Sequence, residues 1–244
     1  LWLIIFDDTF IYRSSKKAPG STIHHQHGSK TNRPKYALGQ CWVSMALSIS
    51  SGMKHYAVPL LARLMRAGGN SSKLDAVKVL LRVIAPVFVG QEVIILVDSW
   101  YMKWPLLEYI LGFGFNVIGQ VRRDTALFGI PSYVTGKRGR PRKYGDKYIP
   151  DVVAAIPEHR EWVYLYSEWQ WVRYRSALCL AKFMGGRKVR VVWMQFENED
   201  GKLSKQRLIL STRVDLTAQQ IFAYYGRRWA IEDLFNQMKN RWGW

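Results

Sequence analysis

Residues 217–239, TAQQIFAYYGRRWAIEDLFNQMK, decide how the rest of the chain is read. Thr217 followed by Gln220 is a capping-box start, and no proline interrupts the stretch, so it predicts one helix. Ile221, Tyr224, Ile231, Phe235 and Met238 recur at helical spacings and give that helix a buried stripe. Tyr225, Arg228, Glu232 and Lys239 stand at i, i+3, i+7 and i+14. At about 100° per residue they share a sector of roughly 60° beside the stripe. Two readings are open. Arg228 and Glu232 form an i,i+4 ion pair on a solvated face, or the four side chains make a charged site set against the core.

Acids farther upstream bear on that choice. Leu1 to Phe6, LWLIIF, is a continuous apolar run, as in a buried central strand, and it runs into Asp7-Asp8-Thr9. Glu92 to Val97, EVIILV, is a second such strand and runs into Asp98-Ser99-Trp100-Tyr101. The carboxyl ends of central strands are where α/β sheets place their ligands. The plainer alternatives are a turn begun by Asp7 and a cap, by Asp98, of the helix expected at once in WPLLEYILGFGF. Strand register leaves Asp7 and Asp8 both open.

Between these points, residues 39–50 and 56–65 read as two further strands joined through Ser51-Gly52. Ser72 with Asp75 starts a helix whose buried face is Ala76, Val79, Leu80 and Val83, closed by Pro86. Asn116 to Arg123 is a fifth strand. Strand, strand, strand, helix, strand, helix, strand and a final helix is the order of the ribonuclease-H-like fold. The expected class is therefore mixed α/β: a five-stranded sheet flanked by helices, in which Asp7 and Asp98 lie side by side. Far more residues separate Asp98 from Glu232 than one strand and one helix need. The division expected is 1–124 for the first part of the core, 125–215 for a basic loop and β-rich insertion, and 216–244 for the last helix. Residues 161–213 alternate apolar and polar, with a hairpin turn at Asn198 to Gly201.

The net charge is +18, from 36 basic and 18 acidic residues, and argues for a polyanionic partner. No apolar run reaches the ~18 residues of a membrane span, which makes an anionic membrane the weaker reading of that charge. Cys41 and Cys179 lie in strand-like segments and read as buried thiols of a reducing compartment. His24, His25 and His27 lack the paired cysteines or histidines of a zinc site. In residues 136–148, GKRGRPRKYGDKY, Arg138, Arg140, Arg142 and Lys143 read as a loop facing phosphates, as arginines entering a narrow minor groove, or as a solvated charge run. Among the eleven tryptophans, Trp162, Trp169, Trp171 and Trp193 are candidates for stacking on a base, with packing as the plainer role.

Tyr-x2-Arg-x3-Glu-x6-Lys over 225–239, with DDT at 7–9 and VDSWY at 97–101, resembles the DDE-type insertion-sequence transposases. The resemblance implies Asp7, Asp98 and Glu232 as catalytic, metal-binding carboxylates, with Asp8 as the alternate to Asp7. It implies Tyr225, Arg228 and Lys239 along DNA near the scissile phosphate. Carboxylate oxygens suit Mg²⁺ or Mn²⁺ rather than zinc, and two ions roughly 3.5–4 Å apart are expected. The implied reaction is cleavage at transposon ends followed by strand transfer. Its implied partners are double-stranded DNA and a second copy in a synaptic homodimer, in the bacterial cytoplasm on nucleoid DNA. The chain begins at Leu1 without an initiator methionine, and a catalytic-domain fragment is expected. Two alternatives remain: an inactive basic DNA-binding remnant, and another ribonuclease-H-like nuclease.

Overall fold

Apolar side chains on both faces of Trp2–Tyr12, strand β1, require cover on both sides, and the chain supplies it. The computed structural model describes residues 1–25, 35–65, 72–131 and 142–243. After β1 come β2 (Thr22–His25), β3 (Tyr36–Ser51), β4 (Lys54–Leu64), α1 (Lys73–Ile84), β5 (Val93–Val97), α2 (Trp104–Gly112) and β6 (Asn116–Val121). The second half runs β7 (Leu127–Phe128), α3 (Pro150–Ala154), β8 (His159–Leu165), β9 (Glu168–Ala181), β10 (Arg187–Glu197), β11 (Arg207–Ser211), α4 (Ala218–Gly226) and α5 (Ala230–Asn240). Among the described residues no helix is long and apolar enough to cross a membrane.

The fold is mixed α/β, and among the described residues its sheet has eleven strands rather than the expected five. The order is β2-β3-β1-β5-β6-β11-β10-β9-β7, with β4 on β3 and β8 on β9. β1, β5 and β6 are mutually parallel neighbours. β3 and β4 add antiparallel on one side. The strands between Asp98 and Glu232 do not stand apart as a separate sheet. β11 pairs antiparallel with β6, and β10 and β9 lie outward of it. An open β6 edge would leave a row of unpaired backbone groups, and β11 covers it.

Strand alternation sorts the core into two layers. Ile4, Phe6, Ile95 and Val97 face α1 and α2. Leu3, Ile5, Ile94, Leu96 and Ile209 face α4 and α5. The capping box at Ser72 and Asp75 forms as expected. The buried face of α1, however, is Ala76, Val77, Leu80 and Leu81, with Val83 exposed. The stripe is turned by about one residue, because α1 must meet both the sheet and α2.

Three further expectations change. β1 does not stop at Phe6 but continues through Asp7 and Asp8 to Tyr12, because β3 pairs it over that whole length. The helix after Asp98 starts only at Trp104, with Lys103 at its cap. The predicted helix over 217–239 is two helices, α4 and α5, joined by a 3-10 turn at Arg227–Trp229. Its capping box at Thr217 and Gln220 is present. The break comes directly after Gly226, the residue with the weakest helix propensity in the stretch. A Cβ at Gly226 would lie 3.2 Å from Leu165 Cδ2, so β8 presses on the helix at that point.

Candidate active site

The parallel register of β1 and β5 ends at Ile5 opposite Leu96. Carried on by two places, it sets Asp7 beside Asp98. Both side chains fall by alternation on the α4–α5 face. β5 ends at Val97, and the chain turns sharply: Asp98 Oδ1 accepts from the backbone N–H of Trp100 at 2.9 Å and of Tyr101 at 3.3 Å. Asp98 therefore braces the turn rather than capping the helix beyond it.

Glu232 comes to this place from the first turn of α5. The 3-10 turn before it points Arg228 back at β1. Arg228 donates to Asp7 Oδ2 at 2.7 Å and to Glu232 Oε1 at 3.4 Å. The i,i+4 pair predicted from spacing is present, but it is not on a solvated face. The Arg228 and Asp7 side chains are only 12% and 15% exposed, while Glu232 is 42% exposed at the mouth.

Burial pushes Asp7 up to about 7; Arg228 opposes the rise, and the neighbouring Asp98 adds to it. Asp7 Oδ1 also accepts from the Asp8 backbone N–H at 2.8 Å. Tyr225 is 5% exposed and lies beneath Arg228, whose Cζ is 5.9 Å from its ring centre. A 3-10 turn advances about 120° per residue rather than 100°, which sets Arg228 directly above Tyr225 and keeps both beside Glu232. Tyr225 is turned into the core, and Trp229 is left 47% exposed. Lys239 lies half-buried near the end of α5, more than two turns beyond Arg228.

Asp8 points the other way. It accepts from Lys73 Nζ at 2.6 Å, from the Tyr101 hydroxyl at 2.8 Å and, weakly, from Cys41 Sγ at 3.8 Å. The structure thus separates the two aspartates that sequence left open: Asp7 joins the candidate site and Asp8 sits on the opposite face.

Carboxylate oxygens from Asp7, Asp98 and Glu232 are donors of the kind hard divalent cations take. Of the two Asp98 oxygens, Oδ1 is the one engaged by the turn. Yet among the described residues no three His, Cys, Asp or Glu side chains are grouped to hold a metal ion. The Arg228 guanidinium stands between Asp7 and Glu232 and supplies the positive charge that these acids require. The donor chemistry fits a divalent cation, and closure of the acids around one requires Arg228 to move aside.

The described end of the basic stretch lies away from this site. Arg142 and Lys143 are exposed, and Lys143 lies over Tyr144, whose ring packs on Phe128 of β7. β7 is five strand steps from β5, about 24 Å at ~4.8 Å per step. Arg138 and Arg140, with the minor-groove motif they belong to, lie outside the described residues. Of the four tryptophans, Trp193 is buried against Tyr148 and is a packing residue. Trp162, Trp169 and Trp171 form a shelf on the β8–β9 hairpin, with Arg160 3.9 Å above the Trp171 ring.

Sequence reasoning missed two contributors. Tyr166 and Ser167 turn the β8–β9 hairpin with φ of 56° and 70°. Such turns favour Asn-Gly, and Tyr-Ser carries no such signal. The turn sets the Tyr166 ring 6.1 Å from Trp229 and its hydroxyl 3.2 Å from Arg207, beside the helix break. Tyr101 and Lys73, around Asp8, were also missed, although VDSWY contained the tyrosine.

The sequence pattern of a family described as "Transposase DDE domain" matches residues 1–244. No curated protein matches the chain. Among solved structures, the NurA nuclease from Sulfolobus solfataricus is similar at 9% identity, with a TM-score of 0.34 over 98% of this chain and 84% of that one. A likeness of that size carries no argument about this chain.

Proposed function

Because the chain belongs to the transposase DDE domain family, we propose that it is the catalytic domain of a DNA transposase. It would cut DNA at transposon ends and join the freed 3′-hydroxyl to target DNA. β4-β3-β1-β5-β6 would be its ribonuclease-H-like core. Residues 1–124 would form the first part of that core, 125–215 the insertion, and 216–244 the helix that completes it. The observation that carries the reading is the meeting of Asp7 and Asp98 at neighbouring parallel strands, with Arg228 bonded to both Asp7 and Glu232.

Asp7, Asp98 and Glu232 would hold Mg²⁺, with Mn²⁺ as a substitute and two ions at full occupancy. Bound there, the cations would neutralise the reacting phosphate and activate the attacking oxygen. Arg228 would leave Asp7 for a phosphate oxygen, where a guanidinium can bond in two places at once. Tyr225, buried below it, would act through Arg228. Lys239 would neutralise phosphate charge near the break, and Arg142 and Lys143 would contact the DNA backbone, as would Arg138 and Arg140 of the same basic stretch. The protein would work as a homodimer on double-stranded DNA in the bacterial cytoplasm.

One observation favours a second reading, a basic DNA-binding remnant: no metal-holding group of three is present among the described residues. A nicking assay in Mg²⁺ with Asp98→Ala and Glu232→Ala separates the two. Cleavage lost in both variants, with DNA binding kept, is expected; wild-type binding without any nicking establishes the remnant. A pre-nicked end tests joining, which a nuclease of the same fold would not perform.

A further inference from the structure

The paired register of β1 and β5 stops at Ile5 and Leu96, yet the two candidate acids lie two residues beyond that last pair. Asp7 and Asp98 are like charges, and the ladder does not hold them together. The tie is on the other face of the sheet. The Tyr101 backbone N–H bonds Asp98 Oδ1, and its hydroxyl donates to Asp8 Oδ1 at 2.8 Å. Asp8 is the chain neighbour of Asp7, so Tyr101 grips both acid-bearing segments at once.

The surroundings suit this role. Tyr101 is fully buried. Lys73 Nζ balances Asp8 from 2.6 Å and is itself anchored beside the Ser72 cap of α1. Trp100 stands between Lys73 Nζ at 5.2 Å and Lys103 Nζ at 3.8 Å, which fixes the turn from outside.

We infer that Asp8, Tyr101 and Lys73 form a clasp, behind the sheet, that sets the spacing of Asp7 and Asp98 for a divalent cation; Tyr101 is its positioning residue. The inference rests on the reading of Asp7 and Asp98 as cation ligands. It gives the second acid of the DDT motif and the tyrosine of VDSWY one joint purpose.

Mn²⁺ titration of the metal-free full chain, followed by loss of the free-ion electron paramagnetic resonance signal, tests it without recourse to activity. Tyr101→Phe keeps the buried ring and removes the hydroxyl. The expected result is a rise of about 10–100-fold in the Mn²⁺ dissociation constant, the usual effect of losing a group that orients a ligand. Thermal melting in EDTA is expected to stay within a few degrees of wild type. Asp8→Asn is expected to give a similar rise, and the double variant no more than the larger single loss. Unchanged affinity in Tyr101→Phe, or losses that add in full, overturns the clasp. Should Tyr101→Phe not fold, Asp8→Asn decides alone: unchanged affinity, or complete loss as for a direct ligand, overturns it. Asp98→Ala serves as the separate arm. If it binds Mn²⁺ like wild type, the ligand reading falls and the clasp with it. If it loses binding while Tyr101→Phe retains wild-type affinity, only the clasp falls.

Discussion

Arg228 contacts Asp7 at 2.7 Å and Glu232 at 3.4 Å from a position only 12% exposed. Removing one partner of such a buried pair leaves an uncompensated charge and typically costs about 3–5 kcal/mol. Arg228→Gln should therefore lower the metal-free stability by up to that much at pH 8, read from urea melts in EDTA, and by less near pH 5, where Asp7 carries its proton. Adding Mn²⁺ should recover more stability in the variant than in wild type, because the ion takes over the vacated charge. Asp7 gives a pH signature. Burial, with Asp98 adding and Arg228 opposing, raises its folded pKa to about 7, above the ordinary carboxyl value. A raised carboxyl holds its proton more tightly in the folded state. Its contribution to stability therefore falls as pH rises from about 4 to about 7, by roughly 4 kcal/mol at most. Asp7→Asn should abolish that slope: in EDTA it should match wild type near pH 4 and exceed it at pH 8.

Among the elements, the close pairing of β1 and β3 is what carries β1 beyond the acids. Gly39 lies in that pairing, opposite Tyr12. A Cβ there would fall 2.2 Å from the Ile11 carbonyl oxygen, which is backbone and cannot swing aside. Gly39→Ala should destabilise by about 2–4 kcal/mol and shift the thermal midpoint down by several degrees. The α4–α5 break is the other device of this kind. Spacing alone puts Tyr225, Arg228, Glu232 and Lys239 on one face, and Tyr225, Arg228 and Glu232 do stay together. What the 3-10 turn adds is the aim of Arg228 at β1 and the exposure of Trp229. The capping box that starts α4 was legible because it depends on residues three apart. The break was not: Gly226 stands just before it, but a single glycine in a periodic stretch does not mark where an α-helix gives way to a 3-10 turn.

Over the whole molecule, the charge of +18 and the position of the basic loop set how DNA would lie. Arg142 and Lys143 are about five strands from the acids across the sheet, so a duplex touching both would run along the sheet rather than into one pocket. Arg142→Ala with Lys143→Ala should weaken DNA binding, flatten its salt dependence by up to about two ion equivalents, and leave Mn²⁺ affinity unchanged. A loss of Mn²⁺ binding in that variant would contradict the separation of the two regions. β11 on β6 joins the strands of the second half to those of the first by backbone hydrogen bonds.

Reading the residues in order was enough to establish the buried strands β1 and β5, the starts of α1 and α4, the alternating strands of the second half and the family. Each is written in neighbouring residues through period, capping or motif spacing. Packing between distant segments was needed for the rest: that Asp7 and not Asp8 shares a face with Glu232, that Arg228 stands between two acids, and that the second half extends the same sheet. Those outcomes depend on strand register and on which edge meets which. Both are set by contacts between residues far apart in the chain, and local pattern carries no record of them.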